Sequence, residues 1–324
     1  MADRIVIVRH GARHDYAHKE AWKARCAASD GYYEVKDPPL SAVGHAQARL
    51  VGKFLCDHVL KRDASRASVT LLSSPYVRAM QTARPTAEIL HLPLRIDGAI
   101  CEGPHRFPTI APRKDGDMAA WRQQRFVDFA HVVDFDDGYV PTVAFGVAPL
   151  GADPADTVYV PTEATFRDNL ERLLVTRAAL EDRYFAAAAP VGDSASDAVA
   201  TAALGRTVVC FTHAATCVGL AAALCSAPLH ALEAAAPAGV WIFTRSVAQR
   251  GSRPRAAWSP ALQSGIDHLG EVQDAATAPW TFPERFGAVW SELVAETATA
   301  TGHSPTLAPP LPSAAARLDD GAAY

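Results

Sequence analysis

No apolar run in the chain approaches the ~20 residues that a membrane span needs. The start lacks a basic stretch followed by an apolar core and goes straight into a strand pattern, so no secretory leader is expected. The six cysteines (Cys26, Cys56, Cys101, Cys210, Cys217 and Cys225) have no CxxC spacing, and several lie in apolar runs. They read as reduced, buried thiols of a cytoplasmic protein rather than as a disulfide framework. Positive charge is not in excess: the formal net charge is −4, which excludes a general attraction to nucleic acid or to an anionic membrane. Any anion site must therefore be a local basic cluster. No internal repeat is found. What is present, 49% hydrophobic and 20% charged residues over 324 positions, is ordinary for a globular protein with a sizeable core.

The most informative stretch is Arg4-Ile5-Val6-Ile7-Val8-Arg9-His10-Gly11. Ile5 to Val8 are all apolar and β-branched, the pattern of a strand buried on both faces of a parallel sheet. It stops abruptly at Arg9-His10-Gly11. In open α/β sheets ligands bind beyond the carboxyl ends of the strands, so this tripeptide is expected at a crevice. Arginine offers a planar fork of donors to a phosphate or carboxylate. Histidine serves as nucleophile or proton carrier near neutral pH. Glycine permits a tight turn close to the ligand.

Residues 12–40 are polar and aromatic, close with Asp37-Pro38-Pro39, and read as a long loop over the crevice. Ser41 is expected to cap a helix with Val43, Ala46, Leu50 and Phe54 on one face. Ser68 to Ser73 form a second buried strand. Ser74-Pro75 is expected to open a helix that Pro85 ends or kinks. A short strand at Leu94–Ile96 leads to Cys101-Glu102-Gly103. Residues 104–161 break the rhythm with prolines, the acidic run 134–137 and short apolar pieces, and read as an insertion capping the crevice. Thr162 is expected to cap a helix with Phe166, Leu170, Leu173 and Leu174. Residues 186–205 read as a flexible connector. Arg206–Thr212 is the third buried strand and ends at His213, with an Ala/Leu helix to about Cys225. Gly239–Thr244 reads as the final strand, 245–280 as loop, and Trp280 to Thr297 as the last helix. The expected organisation is one domain over 1–297 with a disordered tail over 298–324.

Three buried strands thus end in Arg9-His10, Ser73-Ser74-Pro75 and His213. As parallel neighbours they converge on one crevice, and the second also brings Arg78. Two arginines, two histidines and a helix N-terminus, expected without a nearby acid, make sense only with a bound anion to neutralise them. Glu102 is the carboxylate for proton transfer. Plainer roles stand beside these: a hydrogen-bonded loop histidine at 10, surface ion pairs for Arg9 and Arg78, an exposed Glu102, a core His213, a solvated Arg13 and a packed Cys101. The four-residue spacing of His10, His14 and His18 would suit zinc on a helix, but His10 lies at a strand end beside glycine.

Arg9-His10-Gly11, the run Ser73-Ser74-Pro75-x-x-Arg78-Ala79-x-Gln81-Thr82-Ala83 and the strand ending in His213 resemble the phosphoglycerate-mutase-like branch of the histidine phosphatase superfamily. The resemblance spans about residues 4–245. RHGARHD (9–15), Asp37-Pro38-Pro39-Leu40-Ser41 with Gly44 and Gln47, and Pro161-x-Glu163 are further similar to the phosphatase domain of the ubiquitin-associated and SH3-containing proteins. The resemblance implies an α/β fold, a three-layer α/β/α sandwich around a mostly parallel sheet. It implies phosphomonoester hydrolysis through a phosphohistidine on His10, with Glu102 as general acid and base. Arg9, Arg13, Arg78 and His213 would bind the phosphoryl oxygens, with no metal and no organic cofactor. The expected substrate is a phosphorylated small molecule or a phosphopeptide, and the resemblance leaves room for a homodimer. Ala12 stands where an acidic residue is common, and Ala214 where glycine is usual. The Glu-Ser-x-Trp-Asn signature of true mutases is missing, which favours phosphatase over mutase. The other alternative is a phosphate-binding interaction module with poor turnover.

Overall fold

The computed structural model describes residues 2–28, 37–60, 68–102, 163–186, 205–249, 258–272 and 278–301. In chain order these form β1 (Ala2–Arg9), α1 (His14–Ala17), α2 (Lys19–Ala28), α3 (Ala42–Phe54), β2 (Val69–Ser73), α4 (Val77–Leu90), β3 (Leu94–Ile96), α5 (Glu163–Tyr184), β4 (Thr207–Thr212), α6 (Ala214–Cys225), β5 (Val240–Ser246), β6 (Ser259–Gly265) and α7 (Phe286–Thr301). The strands make one sheet in the order β3-β2-β4-β1-β5-β6. β1, β4, β2 and β3 run parallel; β5 and β6 are antiparallel additions.

The opening apolar run explains the layering. Side chains alternate across a strand, so a run without polar interruption must be covered on both sides. Ile5 and Ile7 pack with Leu170 and Leu173 of α5, the apolar face of α6, and Trp290 of α7. Val6 and Val8 pack with Val51 of α3 and Met80 and Ala83 of α4. The sheet is thereby sandwiched between two helical layers, a three-layer α/β fold.

The registers place the site. Arg9 pairs with Thr212, and Ser73 pairs with both Phe211 and Ile96, so four parallel strands end along one edge. The turn after His10 is pressed against α3. A Cβ on Gly11 would lie 2.8 Å from the Gly44 carbonyl oxygen. Gly11 is thus needed for close approach of a helix; its φ is not positive.

Several expectations are corrected. Part of 12–40 is helical: α2 carries Lys19-Glu20-Ala21 and three further alanines, strong helix formers, and buries Trp22. The buried stripe of α3 is Gly44, Gln47, Ala48, Val51 and Gly52, and Val43 is exposed, because small residues let α3 approach α4 closely. Helix α4 begins at Val77, not at Ser74-Pro75: the Asp37 carboxylate takes the Val77 N–H at 3.1 Å. Pro85 does not end this helix; α4 runs on to Leu90, with Pro85 packed against Gly52 of α3. Gly239–Thr244 is not the last strand. β6 lies within the stretch read as loop, hidden by its Ser/Pro/Ala composition at a sheet edge. The last helix starts at Phe286, since Trp280 pairs instead with Ala235, and it continues to Thr301.

The expected cap insertion at 104–161, the acidic run 134–137, Thr162, and most of the connector and tail lie outside the described residues. Cys56, Cys101, Cys210, Cys217 and Cys225 are buried free thiols. Among the described residues no helix is long and apolar enough to cross a membrane.

Candidate active site

His10 comes directly after β1 and is fixed by its backbone. Its N–H donates to the Thr212 carbonyl at 2.9 Å and its carbonyl accepts from Ala238 at 3.2 Å. The two next amides are held by helices: Gly11 N–H donates to Thr82 Oγ1 of α4 at 3.1 Å, and Ala12 N–H to Gln47 Oε1 of α3 at 2.8 Å. The imidazole is buried, with Nδ1 at 2.8 Å from the Gly11 carbonyl oxygen. A carbonyl only accepts, so a neutral ring carries its proton on Nδ1 and keeps the Nε2 lone pair. Burial first, then the charge of Arg78, the His213 ring, Arg9 and Arg13, hold His10 well below the usual histidine pKa.

The structure brings the other expected residues to this ring. The His213 ring lies 5.3 Å from that of His10, centroid to centroid. His213 Nε2 is 2.7 Å from Ser74 Oγ, and its Nδ1 is 3.8 Å from Glu102 Oε2. Burial, then Arg78, Arg13 and Arg9, likewise keep His213 well below the ordinary value. Arg78 is buried and paired with Asp37 at 3.3 Å and with Glu102. Arg9 donates to the carbonyls of Ala235 at 2.6 Å and Ala278 at 3.3 Å, and its buried Nε has no hydrogen-bond partner among the described residues. Arg13 is held by both oxygens of Asp15, at 2.9 and 2.7 Å.

The expectation of cations with no nearby acid except Glu102 needs correction. Asp15 and Asp37 also reach the arginines, so two of the three guanidiniums already face carboxylates. Arg9 meets neutral carbonyls. His14 and His18 pack ring to ring at 4.7 Å while His10 faces His213, so the three do not form one set. Among the described residues no three His, Cys, Asp or Glu side chains are grouped to hold a metal.

Sequence reasoning missed three residues. Asp37 orients Arg78 and caps α4; its D-P-P-L-S context was visible but carried no role. Ser74, expected at the opening of a helix, instead bonds His213. Tyr76 packs edge-on against His213 at 4.8 Å and under the Arg78 guanidinium at 4.4 Å. No sequence signal distinguishes it from any buried aromatic.

Residues 5–127 match the model of the histidine phosphatase superfamily (branch 1). The chain is 33% identical over 108 residues to mouse (Mus musculus) ubiquitin-associated and SH3 domain-containing protein A, covering 27% of this chain and 16% of that protein. The human (Homo sapiens) protein of that name is 30% identical over 112 residues, covering 28% and 16%. The chain therefore spans about a sixth of the length of the curated relatives it matches. Among solved structures it is similar to an ecdysone phosphate phosphatase from Bombix mori in complex with tungstate, at 18% identity and TM-score 0.46 over 88% of this chain and 99% of that one. It is also similar to a mycobacterial glucosyl-3-phosphoglycerate phosphatase with inorganic phosphate, at 17% identity and TM-score 0.43 over 83% and 100%.

Proposed function

We propose that this chain, whose residues 5–127 match the model of the histidine phosphatase superfamily (branch 1), hydrolyses phosphomonoesters through a phosphohistidine on His10. The observation that carries the reading is the state of His10: neutral, bonded at Nδ1 to Gly11, and left with a lone pair on Nε2 inside a ring of cationic donors. Nε2 attacks phosphorus, the phosphorus–oxygen bond to the leaving group breaks, and Glu102 gives its proton to the departing oxygen. Water then attacks phosphorus, the phosphorus–nitrogen bond breaks, Glu102 takes the proton, and inorganic phosphate leaves with His10 restored. Arg9, Arg13, Arg78 and His213 bind the phosphoryl oxygens, where charge stabilisation accounts for most of the catalysis of such transfers.

The Arg78–Glu102 pair gives the cycle a trigger. An arriving phosphate dianion competes for the guanidinium, and the released Glu102 beside that dianion favours its protonated, acid form. Substrates are phosphorylated small molecules or phosphopeptides. The buried free thiols support a reducing, cytoplasmic setting.

The test is hydrolysis of para-nitrophenyl phosphate without added metal or primer by wild type and His10→Ala. Wild-type turnover with loss in the variant is expected, together with label from radioactive substrate that stays on the chain in alkali and leaves in acid. A requirement for a bisphosphorylated primer would make the protein a mutase. Binding of phosphate without hydrolysis across a broad pH range would make it a binding module.

A further inference from the structure

The segment that delivers Glu102 to the pocket is held by its carbonyls. A tight turn at Gly98–Ile100 leads through Cys101 to Glu102, with Asp97 Oδ1 accepting the Ala99 N–H at 2.9 Å. Each of the three carbonyls before Glu102 meets side chains from another element. Ala99 O accepts from Arg172 of α5 and lies 3.2 Å from Thr176 Oγ1. Ile100 O accepts from Thr212 of β4. Cys101 O accepts from Arg172 at 3.1 Å and from Thr216 of α6 at 2.9 Å.

Arg172 alone bridges the turn, one guanidinium nitrogen on Ala99 and the other on Cys101, and the latter also donates to Asn169 Oδ1 at 2.8 Å. Its buried Nε has no hydrogen-bond partner among the described residues. A planar fork can span two carbonyls two residues apart; a lysine ammonium offers one point of attachment on a flexible stem. All these acceptors are neutral oxygens, so the cation serves backbone geometry here rather than charge pairing.

We infer that Arg172 is a positioning residue for Glu102: with Thr212 and Thr216 it locks the turn so that the carboxyl stands at the leaving-group oxygen. This rests on the phosphatase reading, in which Glu102 carries the proton. Both terminal nitrogens of Arg172 are engaged by protein oxygens of Ala99, Cys101 and Asn169, so its loss impairs proton delivery and spares binding of the oxyanion. The need for an acid grows with the basicity of the leaving oxygen, so an alkyl phosphate feels the loss more than para-nitrophenyl phosphate.

The experiment compares wild type, Arg172→Lys, Glu102→Gln and the double variant on both esters, with inhibition by vanadate as the binding control. Misplacement of a reacting group by an ångström costs about 10²-fold, so kcat of Arg172→Lys on the alkyl ester should fall by about that factor. Its kcat on the aryl ester should fall by less than about tenfold, vanadate inhibition should hold, and the double variant should be no slower than Glu102→Gln. Equal loss on both esters, or a further loss in the double variant, overturns the inference and leaves the phosphatase reading intact. Full activity of His10→Ala, or an inactive wild type, overturns both. Thr216→Val deletes only the hydroxyl on Cys101 O and must show the same ester-selective loss if Arg172→Lys does not fold.

Discussion

The two ends of strand β1 both bury charge, and they bury it differently. At the amino end Asp3 accepts the Arg206 N–H at 3.0 Å and lies opposite Arg245 in the sheet. Glu181 of α5 meets Arg245 at 3.4 Å, Arg177 at 3.5 Å and the Trp258 indole N–H at 2.6 Å. The Arg245 guanidinium lies 4.4 Å from the centre of the Trp258 ring. There the Arg245 guanidinium ends on a carboxylate and an aromatic face, and Glu181 on two guanidiniums and an indole N–H. At the carboxyl end a neutral histidine keeps a lone pair among cations, and Arg9 donates to neutral carbonyls. Buried charge alone therefore does not mark a site on this protein. The mark is reactive capacity left unused.

Substitutions at the two ends should separate activity from stability. The largest effect is expected at the carboxyl end: His10→Ala should lower turnover by about 10⁴-fold or more while circular dichroism stays native. At the amino end Glu181→Gln strips a carboxylate from the buried Arg245 and the half-buried Arg177. It should cost about 3–5 kcal/mol in urea unfolding, with activity per folded molecule unchanged. A loss of activity there without loss of stability would erase the contrast. Arg9→Met removes one cation proposed to bind the phosphoryl oxygens and should lower kcat/KM by about 10²–10³-fold.

The smallest expected effect, counted for one histidine over one pH unit, is on pH. Burial lowers His10 and His213 well below their ordinary value and brings His268 to about 4. The unfolded chain takes these protons near about 6.5, where the folded chain does not. Stability is therefore full above that pH and falls as pH drops below it, by at most about 1.4 kcal/mol per pH unit for each histidine. For His268 the decline stops near 4. Urea midpoints across the acid range test this. In His10→Gln the slope should be shallower, because one buried neutral imidazole is gone.

His10, Arg9, Arg78, Glu102 and His213 were legible because each comes after an apolar run or sits at fixed spacing within a motif. An uninterrupted β-branched stretch must be a doubly covered strand, and the turn at its carboxyl end must lie at the crevice. Asp37, Ser74 and Tyr76 were not legible in their roles. Each acts on a partner supplied by packing: Asp37 on Arg78, Ser74 on a histidine from β4's end, Tyr76 on both Arg78 and His213. β6 was missed because its pairing with β5, not its own composition, makes it a strand.

By itself, then, the order of residues determined where the chain must be buried, where it must turn, and which reactive side chains stand at those turns, since hydrophobic period and turn chemistry are local properties. Only the tertiary structure decided the proton on His10, the carboxylates beside Arg13 and Arg78, and the clasp on the turn before Glu102. Protonation and orientation depend on desolvation and on neighbours brought together from distant segments, and no local pattern encodes those neighbours.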